Sequence, residues 1–187
     1  MKKVLTSIFS LAIILSLSHP AAGQTGSNNL NEQLLTAAKA GDTAAVQQLL
    51  DKGANIEAKN SFGNSPLIEA ANAGNTEVAR LLLQKGANIE ARNKFGNTAL
   101  ILAAVKGKTD VVKLLLEKGA NIEAKGNSGE TALIEAALTG NVEMVRLLLE
   151  KGANINAKNN IGYTALMAAR FVGKTDVVKL LEEIGSH

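Results

Sequence analysis

The heptapeptide KGANIEA spans Lys52–Ala58, occurs again at Lys85–Ala91 and Lys118–Ala124, and returns as KGANINA at Lys151–Ala157. Each copy starts 33 residues after the one before. A fixed period of this length is the mark of a stacked architecture in which each period is one supersecondary unit. No single unit can bury its own apolar face, but a row of them can. The chain is therefore expected to be a stacked repeat protein rather than a globule with one centre.

The residues between the copies repeat as well. NSFGNSPLIEAANAGNTEVARLLLQ, NKFGNTALILAAVKGKTDVVKLLLE, GNSGETALIEAALTGNVEMVRLLLE and NNIGYTALMAARFVGKTDVVKLLEE fill the four periods. Ser65, Thr98, Thr131 and Thr164 are good N-caps for a short first helix, and Pro66 suits its first position. Paired alanines at 70–71, 103–104, 136–137 and 168–169 keep that helix thin, so neighbours can approach closely. Gly74, Gly107, Gly140 and Gly173 are expected to end it. A second helix carries the leucine triplets, and Gly53, Gly86, Gly119 and Gly152 are expected to end that one in a left-handed conformation. On its solvent face, Glu77, Asp110, Glu143 and Asp176 precede Arg80, Lys113, Arg146 and Lys179 by three residues. Each pair is expected to form a surface ion pair worth about 0.2–0.5 kcal/mol.

These residues resemble the ankyrin repeat family. The family's Thr-Pro-Leu-His-x-Ala-Ala core is matched at Ser65-Pro66-Leu67, Thr98-Ala99-Leu100, Thr131-Ala132-Leu133 and Thr164-Ala165-Leu166. The resemblance implies an all-α repeat solenoid of five helix–turn–helix units joined by β-hairpin-like loops, at 60–92, 93–125, 126–158 and 159–187, after a degenerate first unit at about 27–59. It covers the expected repeat domain, 30–187. One departure concerns the family's histidine, which normally supports hydrogen bonds between hairpin and helix. Ile68, Ile101, Ile134 and Met167 stand in its place, so the hairpins are expected to rest more on packing.

The end units of a solenoid need polar outer faces. In the last unit the third leucine is replaced by Glu182; in the first the triplet is broken, as Leu49-Leu50-Asp51 after Gln47-Gln48.

Residues 1–23 have the layout of a secretory signal peptide: basic Lys2-Lys3, an apolar run over Val4–Leu17 and small residues at Ala21-Ala22-Gly23. The run is shorter than the ~20 residues of a membrane-spanning helix. Cleavage near Gly23 and a short linker at 24–29 are expected, followed by a periplasmic or secreted, bacterial-type protein with no membrane insertion. Loss of Lys2 and Lys3 would leave 18 basic against 17 acidic residues. That near-neutral balance lacks the clustered basic face that nucleic-acid binding needs.

Chemistry finds little to work with. The chain has no cysteine, which excludes disulfides, zinc–thiolate sites and a thiol nucleophile. His19 lies in the signal segment and His187 is the last residue, so nucleophile–base arrangements are lacking. Gly107-Lys108-Thr109 and Gly173-Lys174-Thr175 look like the tail of a phosphate loop, but Leu102 and Ala168 occupy the place of its required first glycine. Glu69 and Glu135 share a repeat position two units apart, roughly 16–20 Å at ~8–10 Å per helix layer. Paired glycosidase carboxylates need about 5–9.5 Å. Glu57, Glu90 and Glu123 alternate with Lys59, Arg92 and Lys125 and are expected to form a neutralised ladder rather than a metal site. No catalytic residue, metal or cofactor is expected.

The family resemblance implies a protein-binding module that uses its hairpin tips and the exposed side of the first helix. Only 3% of the chain is aromatic, so aromatics outside the leucine and alanine columns carry weight. Phe62 and Phe95 share the third position of their units, with Ile161 in the same row; Tyr163 holds the fifth position. Val105, Leu138 and Phe171 share the thirteenth. These seven, with Lys94 and Lys106 on the rim, are the expected contacts for a protein partner, since exposed apolar patches and aromatics mark interaction sites. A monomeric scaffold is expected. An inhibitor or immunity-type protein that blocks an enzyme or toxin, or an effector binding a foreign protein, is the alternative.

Overall fold

The computed structural model describes residues 22–185, which form ten helices: α1 (Ala22–Ala40), α2 (Thr43–Asp51), α3 (Pro66–Ala73), α4 (Thr76–Gln84), α5 (Ala99–Val105), α6 (Thr109–Glu117), α7 (Ala132–Thr139), α8 (Val142–Glu150), α9 (Ala165–Phe171) and α10 (Thr175–Gly185). There is no strand among the described residues. Each odd helix packs antiparallel on the even helix that follows, and the five pairs stack in chain order. The signal segment up to residue 21 lies outside the described residues. α1 begins at Ala22, so residues 24–29 are helical rather than an irregular linker. They contain no proline, and extending a helix already nucleated at the packed Leu30 and Leu34 costs little.

The odd helices lie closer to one another than the even ones do. Their facing positions are alanines with no exposed surface, Ala70, Ala71, Ala103, Ala104, Ala136 and Ala137. The even helices are spaced by leucines and valines such as Leu82, Val112, Leu115 and Leu148. Narrow packing on one side and wide packing on the other curve the stack, with the odd helices on its concave side. One continuous aliphatic core runs from Leu34 to Leu181.

The helix ends follow the expected chemistry, with one adjustment. The hydroxyls of Ser65, Thr98, Thr131 and Thr164 accept the backbone N–H three residues on. α3 and α7 end directly on Gly74 and Gly140, both left-handed. α5 and α9 stop one residue sooner, on Lys106 and Val172, and the glycine comes next. The even helices share one exit. After α2, Gly53 N–H donates to Leu50 O at 2.9 Å and Ala54 N–H to Leu49 O at 3.0 Å. The same pair of bonds follows α4, α6 and α8 around Gly86, Gly119 and Gly152, with φ between 86° and 89°. This is the Schellman arrangement, in which a residue without a Cβ satisfies carbonyls the helix leaves orphaned.

Two expectations are corrected. Of the four surface ion pairs, only Glu77–Arg80 closes, at 3.6 Å. Exposed pairs in water gain too little to hold two long side chains together. In the first unit, the register places Gln48, Leu49 and Leu50 against Leu81, Leu82 and Leu83. The replaced leucine is thus the first of the triplet, Gln48, which is exposed, while Leu49 stays buried.

Candidate partner-binding face

The hairpins that carry Phe62 and Phe95 are built by asparagines. Asn60 Oδ1 accepts the N–H groups of Phe62 (2.9 Å) and Asn64 (3.0 Å), and the Asn60 carbonyl accepts Gly63 N–H. Asn93 holds Phe95 and Asn97 in the same way, and Asn159 holds Ile161 and Tyr163. A short polar side chain thus replaces a strand ladder as the partner for the tip's backbone donors. Gly126 takes this place in the fourth unit and offers no such clamp.

Hairpin and helix are also tied. Glu69, 6% exposed, accepts the side-chain amides of Asn60 at 2.6 Å and Asn64 at 2.8 Å. Asn64 in turn accepts Asn93 Nδ2 at 2.9 Å. In the second unit this network ties hairpin to helix where the sequence offered no histidine, so there the hairpin rests on more than packing; the third and fifth units have Leu102 and Ala168, without a side-chain acceptor, at the Glu69 position. It also uses Glu69 structurally: both of its neighbours are amide donors. In the fourth unit the same three positions hold Gly126, Glu130 and Glu135. Both amides are gone and a second carboxylate faces the first. Burial, and then the charge of Glu130, push the Glu135 carboxyl above its ordinary value.

Successive tips are joined edge to edge. Lys94 N–H donates to Phe62 O at 3.0 Å, Asn127 N–H to Phe95 O at 2.9 Å and Asn160 N–H to Ser128 O at 3.0 Å. The expected ladder of neutralised charges is different in kind. Lys59 donates to the Arg92 carbonyl, Arg92 to the Lys125 carbonyl and Lys125 to the Lys158 carbonyl, each one unit on. The acids bond the next unit's backbone too. Charged groups here find main-chain partners across the unit boundary rather than one another.

On this frame, Phe62 and Phe95 stand 59% and 58% exposed at adjacent tips, and Ile161 is exposed in the same row beyond Ser128. Lys94 and Lys106 are exposed. Val105 and Leu138 are half-buried, and Leu138 packs against the core. Tyr163 is half-buried and meets the exposed Phe171 edge-on, with ring centroids 6.1 Å apart. The structure therefore brings Phe62 with Phe95 and Tyr163 with Phe171, while Val105 and Leu138 form a floor more than a contact surface.

The first unit adds residues that the sequence reading did not single out. Between α1 and the first hairpin lies an open groove of about 510 Å³, lined by Glu32, Leu35, Thr36 and Lys39 on one side and by Phe62 and Glu69 on the other. Lys39 shares the repeat position of Phe171, so the register pointed to it; its charge hid it from a search for apolar residues. Met167, Val172 and Ile184 are also exposed and were missed. Among the described residues, no helix is long and apolar enough to cross a membrane.

A family model of ankyrin repeats (three copies) matches residues 34–126 and 124–187. The chain is an ankyrin-repeat protein. No individual curated protein matches it in sequence. Ankyrin repeats are in general protein–protein interaction modules, and the fold is typically a non-enzymatic scaffold. In the second unit of this ankyrin-repeat protein, hairpin and helix are tied by asparagine and glutamate.

Proposed function

We propose that this ankyrin-repeat protein is an exported, non-catalytic scaffold that captures a protein partner on its concave face and hairpin tips. The observation that carries the reading is the exposure of Phe62 and Phe95 on adjacent, hydrogen-bonded tips beside the groove under Lys39. Two large aromatic rings held in water by a rigid frame are costly unless a partner covers them, and aromatics on preorganised positions make hot spots. Val105, Leu138, Ile161, Tyr163 and Phe171 extend the apolar row, and Lys94 and Lys106 rim it. Export rests on Lys2-Lys3, the apolar run Val4–Leu17 and the small residues before Gln24.

A photoreactive residue at Phe95, crosslinked in cells and followed by mass spectrometry, identifies the partner. The double change Phe62→Ser, Phe95→Ser is expected to weaken its capture by about tenfold or more at unchanged melting temperature. Undiminished capture by that folded variant rejects the face. N-terminal sequencing of the exported protein is expected to start near Gln24; a mature protein that retains Lys2 and Lys3 rejects export by cleavage.

A further inference from the structure

The hairpin of the second unit is tied to its helix by a relay of amide hydrogens. Asn93 Nδ2 donates to Asn64 Oδ1 at 2.9 Å, and Asn64 Nδ2 donates to Glu69 Oε1 at 2.8 Å. Two units on, the same three positions hold Asn159, Glu130 and Glu135. The first step survives, since Asn159 Nδ2 donates to Glu130 Oε1 at 3.3 Å. The second step lacks its hydrogen, because Glu130 carries an oxygen where Asn64 carries its nitrogen. Gly126, at the position of Asn60, has no side chain to supply another donor. A glutamate is one methylene longer than an asparagine, so Glu130 has the reach that Asn64 has. What is missing is one hydrogen, and a protonated carboxyl supplies it.

No cation takes the place of that hydrogen. Among the described residues, neither carboxylate has an ion-pair partner. On the helices packed beside α7, the Glu135 position holds Leu102 and Ala168. Arg92 and Lys125 bond main-chain carbonyls, and Arg170 pairs with Glu182. Tyr163, in the Glu130 position of the fifth hairpin, packs its ring against Phe171. Lys94, Lys106 and Lys158 are exposed, as are Glu143, Arg146 and Glu150 on α8.

We propose that Glu130 and Glu135 form a proton-operated latch: protonated Glu135 donates its carboxyl hydrogen to Glu130 and fastens the fourth hairpin to α7 in mild acid, and release of that proton to water unfastens it. With the proton gone, two like charges face each other and repel. Burial and the charge of Glu130 hold the Glu135 carboxyl above its ordinary value, so the latch stays closed beyond the pH at which an isolated glutamate ionises. The hairpin it controls links the tip of Phe95 to that of Ile161. Asn127 N–H donates to Phe95 O and Asn160 N–H to Ser128 O. These sideways bonds do not involve the latch. The row of tips is therefore one stiff band in acid and is hinged at the fourth unit when the latch is open.

Hydrogen exchange at single-residue resolution between about pH 5 and 8, corrected for the intrinsic pH dependence of exchange, tests the latch. Gly126 N–H and Gly129 N–H close the fourth hairpin as Asn60 N–H and Gly63 N–H close the second. Protection at Gly126 and Gly129 is expected to fall about fivefold as pH rises, while protection at Asn60 and Gly63 holds. Glu130→Gln supplies the missing amide and should keep the fourth hairpin protected at both pH values. Glu130→Ala removes the acceptor and should leave it equally weakly protected at both. Protection in the unaltered protein that ignores pH, an equal fall in both hairpins, or a Glu130→Gln variant that keeps the pH dependence overturns the proposal.

Discussion

The carboxylate of Glu57 accepts the backbone N–H of Asn88, 31 residues on, at 2.7 Å. The bond recurs unchanged at 2.7 Å from Asn121 to Glu90 and from Asn154 to Glu123. In the same loops Asn88, Asn121 and Asn154 use their own side chains to hold the N–H two residues later. The repeated heptapeptide is therefore more than a helix stop. Its glutamate holds the asparagine of the next copy, so the three boundaries between successive copies are registered by the motif itself.

Glu90 sits at the middle boundary, which makes it the most informative to remove. Hydrogen bonds to charged groups are worth about 1.5–3 kcal/mol, and partial exposure lowers that. Glu90→Ala is expected to lose about 1 kcal/mol, and Glu90→Gln less, because an acceptor remains. Weakening one interface of a repeat array also loosens coupling between the halves. Urea unfolding should show a lower midpoint and a broader transition for Glu90→Ala.

Gly96 and Gly162 share a repeat position and a left-handed backbone, with φ of 76° and 85°. They differ in what stands beside them. A Cβ at Gly96 would lie 2.6 Å from Asn127 N; at Gly162 it meets open space. Gly162→Ala should cost only the conformational penalty of about 1–2 kcal/mol. Gly96→Ala should cost about 3 kcal/mol or more, since the next hairpin's backbone must also shift. Thermal melts of the two variants measure the difference, which isolates the contact between units.

Glu135 makes stability depend on pH. Its folded-state value lies above that of the unfolded chain, so the folded form binds the proton more tightly. Stability then falls as pH rises from the unfolded value near 4.5 through the raised folded one, and the penalty is complete above it. Glu135→Gln should stabilise the protein at pH 7 and make no difference below about pH 4. Glu130→Gln should give part of the same gain. Melting temperatures measured across pH 3.5–8 check the sign.

Asn93 clamps the tip that carries Phe95. Asn93→Ala removes acceptors for two backbone N–H groups and a donor to Asn64, and should cost about 2 kcal/mol. Amide exchange should quicken at Phe95 and Asn97 first. If the tips bind the partner, its affinity should fall even where the fold survives, because the ring loses its fixed position. Gly126 shows that one unit already lives without the clamp.

Much of this was legible without coordinates because it is local chemistry. The caps at Ser65, Thr98, Thr131 and Thr164, the glycine exits and the stacked repeat follow from spacing and residue type. The boundary bonds were not legible. Glu57 and Lys59 look like an alternating charge row, and only the unit rise shows that their partners are carbonyls and N–H groups of the next turn. The Glu69 network was hidden for a similar reason: nine residues separate Glu69 from Asn60, and the turn between them decides whether they meet. Met167 could have been found from sequence, since its column is buried only where another unit follows.

The 33-residue period, read with the repeated caps and leucine triplets, determined the architecture: helices that cannot bury their leucines alone must stack, and a constant spacing repeats one packing along the chain. Which groups register the stack and which aromatic rings stay in water were decided only by the tertiary structure. Those depend on what the neighbouring unit brings within a few ångströms of each side chain, and a residue's own sequence context does not contain its neighbour 33 positions away.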